Sequence, residues 1–259
     1  MITAENIFDN FKLTMSGLER GLQVIHIATP AAQLLSCQHD EDIATVLTNP
    51  DLKAFDQIPV IKQGTIIGLL KKRECPEEAK GVPTDYMQPL GEKILVSADM
   101  PLLKFIQDDS LDRIVIGGTN IYGLVTRSDL LKLPVSLLGF ALTTHAETLM
   151  LNIIRSTGIS DEIWLTWVPP KHKDEIQNQY ERLKSKRSEL DKLELSYISD
   201  KSEILRKLAA SEGFAPLVPD KFYIDKLKDI TKLRNSIAHT GNTVNFDYNG
   251  PSFLDRGIR

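Results

Sequence analysis

Only two cysteines, Cys37 and Cys75, occur in 259 residues, without CxxC spacing and without companion histidines at metal-ligand intervals. A structural zinc site and a disulfide framework are thereby excluded. Strong net charge is also missing. The balance of -4 argues against a protein that coats nucleic acid non-specifically, although a local basic cleft can coexist with an acidic whole. No apolar run reaches the roughly 18 residues of a membrane-spanning helix, because the longest candidate, Leu137 to Ile154, is broken by Thr143, Thr144, His145 and Glu147. The start, MITAENIFDNFK, lacks the basic opening and apolar centre of a secretory signal. These absences set the expectation of a cytoplasmic chain with no membrane segment.

What is present reads as globular. Apolar residues make up 42% and charged residues 25%, close to the averages for folded soluble domains, and the length suits two compact units. Between about Val24 and Pro134, short β-rich runs alternate with helical stretches, and two segments align. They are FDQIPVIKQGTIIGLLKKRE (Phe55 to Glu74) and LDRIVIGGTNIYGLVTRSDLL (Leu111 to Leu131). Each predicts strand, tight turn, strand, helix start, with Gly64 and Gly118 at the turns, where a positive φ is demanded. Upstream of each hairpin lies a helical stretch, DEDIATVL (Asp40 to Leu47) and SADMPLLKFI (Ser97 to Ile106).

The end of the second copy, Gly123-Leu124-Val125-Thr126-Arg127-Ser128-Asp129, runs from a strand into a helix start. Free N–H groups and the positive dipole end at such a junction suit a phosphate. The same residues also read as a plain helix cap, with Thr126 or Ser128 at the N-cap and Asp129 in the first turn. This repeat resembles a pair of CBS domains. The resemblance implies a nucleotide-sensing module in which the Thr126 hydroxyl contacts a phosphate and Asp129 accepts from ribose hydroxyls, with Gly123 and Arg127 completing the ligand-binding set. The first copy departs from the pattern at Gly68-Leu69-Leu70-Lys71-Lys72-Arg73-Glu74, with lysine in place of threonine and glutamate in place of aspartate. One competent site is therefore expected, taking an adenine-type nucleotide.

After Pro134 the β pattern stops and helices follow. Val135 to Arg155 predicts a long apolar helix ended by Gly158, and Ser160 caps a short DEIWLTW helix closed by Pro169-Pro170. From Lys171 to Ile198, Ile176, Tyr180, Leu183, Leu190 and Leu193 recur at helical steps, predicting an amphipathic helix with a charged outer face. Asp200 and Glu203 make a capping-box-like start to the next helix. Glu147 on the first helix has no basic residue four or five positions later.

The last helix carries Leu233-Arg234-Asn235-Ser236-Ile237-Ala238-His239. An arginine and a histidine in a final turn also serve the negative end of a helix dipole. The spacing Arg-polar-x3-His, on the closing helix of an all-helical region, resembles the HEPN family. That resemblance implies metal-independent RNA cleavage, in which His239 moves a proton of a ribose 2′-hydroxyl or leaving oxygen. Arg234 holds the scissile phosphate and Asn235 orients either group. Residues five apart on a helix stand about 140° apart around its axis, so Arg234 and His239 do not share one stripe, and the family's answer is a homodimer with a composite cleft. The tyrosine that a regulated branch of the family carries two positions after this histidine is replaced here by Gly241.

The expected architecture is α+β: an N-terminal segment 1–23, a CBS-domain pair 24–134 (copies about 24–80 and 81–134), an all-α HEPN-like bundle 135–245 and a tail 246–259. The expected function is that of a nucleotide-regulated ribonuclease needing no metal. The alternative is a non-catalytic nucleotide-sensing protein whose helical part dimerises or docks a partner.

Overall fold

Glycine sits where the chain must reverse. In the computed structural model, Gly64 and Gly118 have φ of 75° and 61°, as the hairpin reading requires. The structure describes residues 4–108, 110–184, 191–211, 213, 229–230, 232 and 234. The helices are α1 (Ala4–Gly21), α2 (Ile43–Thr48), α3 (Leu102–Ile106), α4 (Leu133–Ser156), α5 (Asp161–Trp164), α6 (Pro170–Lys184) and α7 (Ile198–Ala209). The strands are β1 (Thr29–Pro30), β2 (Cys37–Gln38), β3 (Gln57–Lys62), β4 (Thr65–Lys71), β5 (Gln88–Pro89), β6 (Leu95–Ser97), β7 (Arg113–Gly117) and β8 (Asn120–Val125). The chain divides into two compact units, one of Lys12–Val135 and one that joins the described residues up to Phe11 with those from Ser136 on.

In the first unit the strands form two four-stranded sheets, β2-β3-β4-β5 and β1-β8-β7-β6. The repeat holds down to single registers. Each hairpin carries a bulge at the same place, after the pairs Val60↔Gly68 and Val115↔Gly123. Each sheet also receives one strand from the other copy's approach. β5, which leads into the second copy, pairs with β4 at Gly68↔Pro89, and β1, which leads into the first, pairs with β8 at Pro30↔Gly123. Proline lacks a donor and is tolerated on such edge strands.

The exchange buries apolar residues of both sheets together. Ile66 and Leu69 pack with Ile94, Ile114 and Leu124, while Cys37, Ile43, Val46, Ile58, Val60 and Leu70 form a separate core under the first sheet. Asp42 caps α2 by accepting the Thr45 N–H at 3.0 Å.

The second unit is helical among the described residues. Met150 and Ile154 of α4 pack with Trp164, Ile176, Leu193, Ile198, Ile204 and Leu208, and Gly158 ends α4 at φ 66°. Three expectations are corrected here. Lys171 to Ile198 is not one helix: α6 is described to Lys184, and Lys192 to Leu195 are turns. Arg155 of α4 meets the Asp191 and Glu194 carboxylates, both at 2.6 Å, and Leu193 and Ile198 reach the core from a turn and from α7. Next, α7 begins at Ile198, and Asp200 reaches back to the Tyr197 N–H at 3.1 Å instead of opening the helix itself. Last, α4 is long and apolar enough, by length and composition, to cross a membrane. Thr143 and Thr148 return their hydroxyls to backbone carbonyls of their own helix at 3.0 and 3.1 Å, so these threonines do not interrupt it as a count of apolar residues assumes.

Candidate functional site

The second copy's ligand-binding set lies where β8 ends and a 3-10 turn, Arg127–Leu131, begins. Gly123 is required by the fold. A β-carbon there would overlap the Thr29 carbonyl oxygen of β1, so only glycine lets the exchanged strand approach. Two residues later the strand stops, because Asp129 turns back and its Oδ2 accepts the Thr126 N–H at 2.6 Å and the Thr126 hydroxyl at 3.0 Å. The Thr126 and Ser128 hydroxyls are 2.8 Å apart. Thr126 and Asp129 are thus brought together as a helix cap, Arg127 is exposed on the same turn, and Asp129 is buried.

Two contributors were not read from the sequence. Lys132 Nζ lies 2.7 Å from Asp129 Oδ1 and donates to the Ile27 carbonyl at 2.6 Å. Thr29 of β1 donates its hydroxyl to Asp129 Oδ1 at 3.4 Å. Lys132 stands three residues after Asp129, a spacing at which opposite charges on a helical turn meet, and that signal was available. Thr29 is a hundred residues away and carried none.

The first copy repeats the plan with other side chains. Glu74 Oε2 accepts from Gln88 of β5 at 3.1 Å, as Asp129 does from Thr29 of β1. Lys71, in the position of Thr126, pairs with Glu74 at 3.6 Å. Lys72 donates to the Leu52 carbonyl at 2.9 Å, and Arg73 faces Asp112 at 3.6 Å. Each of these three basic residues has a partner within the chain. A cavity of about 400 Å³ at the opposite, hairpin end of the second sheet is lined by Gln23, Ser97, Asp99, Gly118 and Tyr122, none of them in the ligand-binding set.

In the helical unit, Arg234 is helical and exposed. Asn235 and His239 lie outside the described residues. Glu147 meets a basic partner that sequence spacing did not provide: Lys201 of α7, at 3.0 Å. No cluster of three or more metal-ligating side chains occurs among the described residues.

No family model matches the chain, and no curated protein matches it. Solved structures do. The CBS domain of a bacterial CNNM/CorC family Mg2+ transporter in complex with ATP is 19% identical, covers 48% of this chain and 94% of its own, and has a TM-score of 0.38. A CBS-domain pair with bound AMP from Klebsiella pneumoniae is 18% identical over 42% of this chain and 95% of its own, with a TM-score of 0.35. The CBS-pair protein CBSX2 from Arabidopsis thaliana is 16% identical over 44% of this chain and 95% of its own, with a TM-score of 0.37.

Proposed function

We propose that the chain is a nucleotide-regulated protein in which the two-sheet unit senses an adenine-type nucleotide through Gly123, Thr126, Arg127 and Asp129. The observation that carries this reading is the buried Asp129 carboxylate at the end of β8, shared by the Thr126 cap and the exchanged strand β1. A strand end that opens into a helical turn exposes N–H groups suited to phosphate, and a carboxylate beside it is the natural acceptor for ribose hydroxyls. Titration of ATP and AMP into the wild-type protein and Asp129→Asn tests it. Binding lost in the variant supports the site; equal binding by both proteins removes it.

The effector we assign to the helical unit is metal-independent RNA cleavage by Arg234, Asn235 and His239, with two copies of the chain supplying a composite cleft. What supports this is the Arg-Asn-x3-His spacing and the exposure of Arg234 on its helix. Lys132 is followed directly in sequence by α4, with no Gly/Ser-rich linker between them. The deciding assay is cleavage of a mixed RNA pool in chelator by wild type and His239→Ala, with and without nucleotide. Cleavage that disappears in the variant supports the ribonuclease.

A non-catalytic docking role is the second reading, and one observation favours it. Leu137 and Phe140, three apart on α4, are 50% and 54% exposed. Single exposed apolar residues are ordinary, whereas neighbouring large ones on one helix suit an interaction surface. No cleavage under any nucleotide supports this second reading.

A further inference from the structure

We infer that Lys132 sets the ligand preference of the second-copy site, favouring a nucleoside that carries phosphate over the bare nucleoside. This rests on the nucleotide-binding reading of Thr126 and Asp129 and adds a determinant that the family pattern does not contain. Asp129 Oδ2 is committed to the Thr126 N–H and hydroxyl, which start the turn. The two hydroxyls of a ribose therefore need both lone pairs of Oδ1, which are held by the Lys132 ammonium at 2.7 Å and the Thr29 hydroxyl at 3.4 Å. The ammonium has three protons: one serves Asp129, a second the Ile27 carbonyl at 2.6 Å, and the third points to Thr29 Oγ1 at 3.4 Å. Of these partners only Asp129 carries charge.

A diol that captures Oδ1 leaves the half-buried ammonium beside neutral oxygens. Asp129 is 8% exposed and Lys132 39%, so water answers the ammonium only in part, and losing its carboxylate costs part of what a fully buried pair would. A ligand that also brings a phosphate to the Thr126 end of the turn supplies the missing anion, so the exchange closes with every charge matched. A bare nucleoside brings the diol and no anion, and meets that cost without compensation. The first copy offers a contrast, because the residue three after Glu74 is Glu77, and the lysine that meets Glu74 is Lys71, which stands in the position of Thr126.

The test is calorimetric titration of adenosine, AMP and ATP into full-length wild type, Lys132→Met, Lys132→Arg and Asp129→Asn. Wild type and Lys132→Arg bind the better phosphorylated ligand about tenfold or more tighter than adenosine. In Lys132→Met the gap closes, chiefly because adenosine binds more tightly. Should Lys132→Met not fold, Lys132→Gln, which keeps a donor for the Ile27 carbonyl, reads the same ratio. An unchanged ratio in the neutral variants, with binding lost in Asp129→Asn, overturns the role of Lys132 and leaves the nucleotide site standing. If wild type binds none of the three ligands, or Asp129→Asn binds them as wild type does, the site reading fails and this inference falls with it.

Discussion

Lys201 Nζ lies 3.0 Å from Glu147 Oε1, and the lysine is 1% exposed, with the Ser196 carbonyl as its other acceptor. An ammonium so deep in the helical core is tolerated only because a carboxylate from α4 answers it. Glu147→Ala, which leaves the charge buried and unpaired, is expected to destabilise the protein by about 3–5 kcal/mol. The double variant Glu147→Leu, Lys201→Met is expected to lose much less, since neither charge then needs a partner. Urea unfolding of the three proteins checks the order; a double variant as unstable as the single one contradicts it.

The Arg155 bridge is the opposite case. Its guanidinium reaches Asp191 and Glu194 at 2.6 Å each but is 40% exposed. Exposed pairs contribute about 1 kcal/mol or less, and screening weakens them. Arg155→Ala is expected to lower the urea midpoint slightly at low salt and less at 0.5 M salt. A loss comparable with that of Glu147→Ala at both salt concentrations contradicts this.

Two glycines separate close approach from conformational freedom. Gly123→Ala forces a β-carbon into the Thr29 carbonyl of β1 and is expected to cost about 1–3 kcal/mol, the usual penalty of overpacking, and to unpair the exchanged strand. Gly118→Ala meets nothing within 4 Å, but its φ is 61°. Its expected cost is about 1 kcal/mol, from the left-handed backbone alone. Thermal unfolding ranks the two, and hydrogen exchange at Thr29 reports the strand.

Burial, reinforced by Glu41, pushes the Cys37 thiol up from 9.0 to about 11. Between those values the unfolded chain has released this proton and the folded one keeps it, so the unfolded state binds fewer protons and stability falls as pH rises. The contribution is fully present below pH 9 and is lost towards pH 11. Urea midpoints at pH 8 and 10.5 are expected to differ less for Cys37→Ala than for wild type, and equal differences contradict the assignment. Cys75 is partly exposed, with its thiol raised by burial and Glu74; an alkylating reagent is expected to label it first in the folded protein.

The sequence by itself determined whatever depends on neighbours along the chain. The hairpins at Gly64 and Gly118, the repeat that contains them, the Thr126–Asp129 turn and the glycine that ends α4 are all local, because backbone φ, N–H capping and period-2 alternation act over a few residues. The expected helix from Lys171 to Ile198 failed for the same reason. Ile176 and Leu193 do reach the core, but the chain around Leu193 is a turn, where Arg155 of a distant helix meets Asp191 and Glu194. Only the tertiary structure decided that β1 and β5 cross to the other copy's sheet, because edge strands of two residues carry no periodicity to detect. That exchange brings Thr29 to Asp129 and Gln88 to Glu74, and core packing brings Lys201 to Glu147. Burying a charge demands a partner, and the chain can supply it from any distance in sequence.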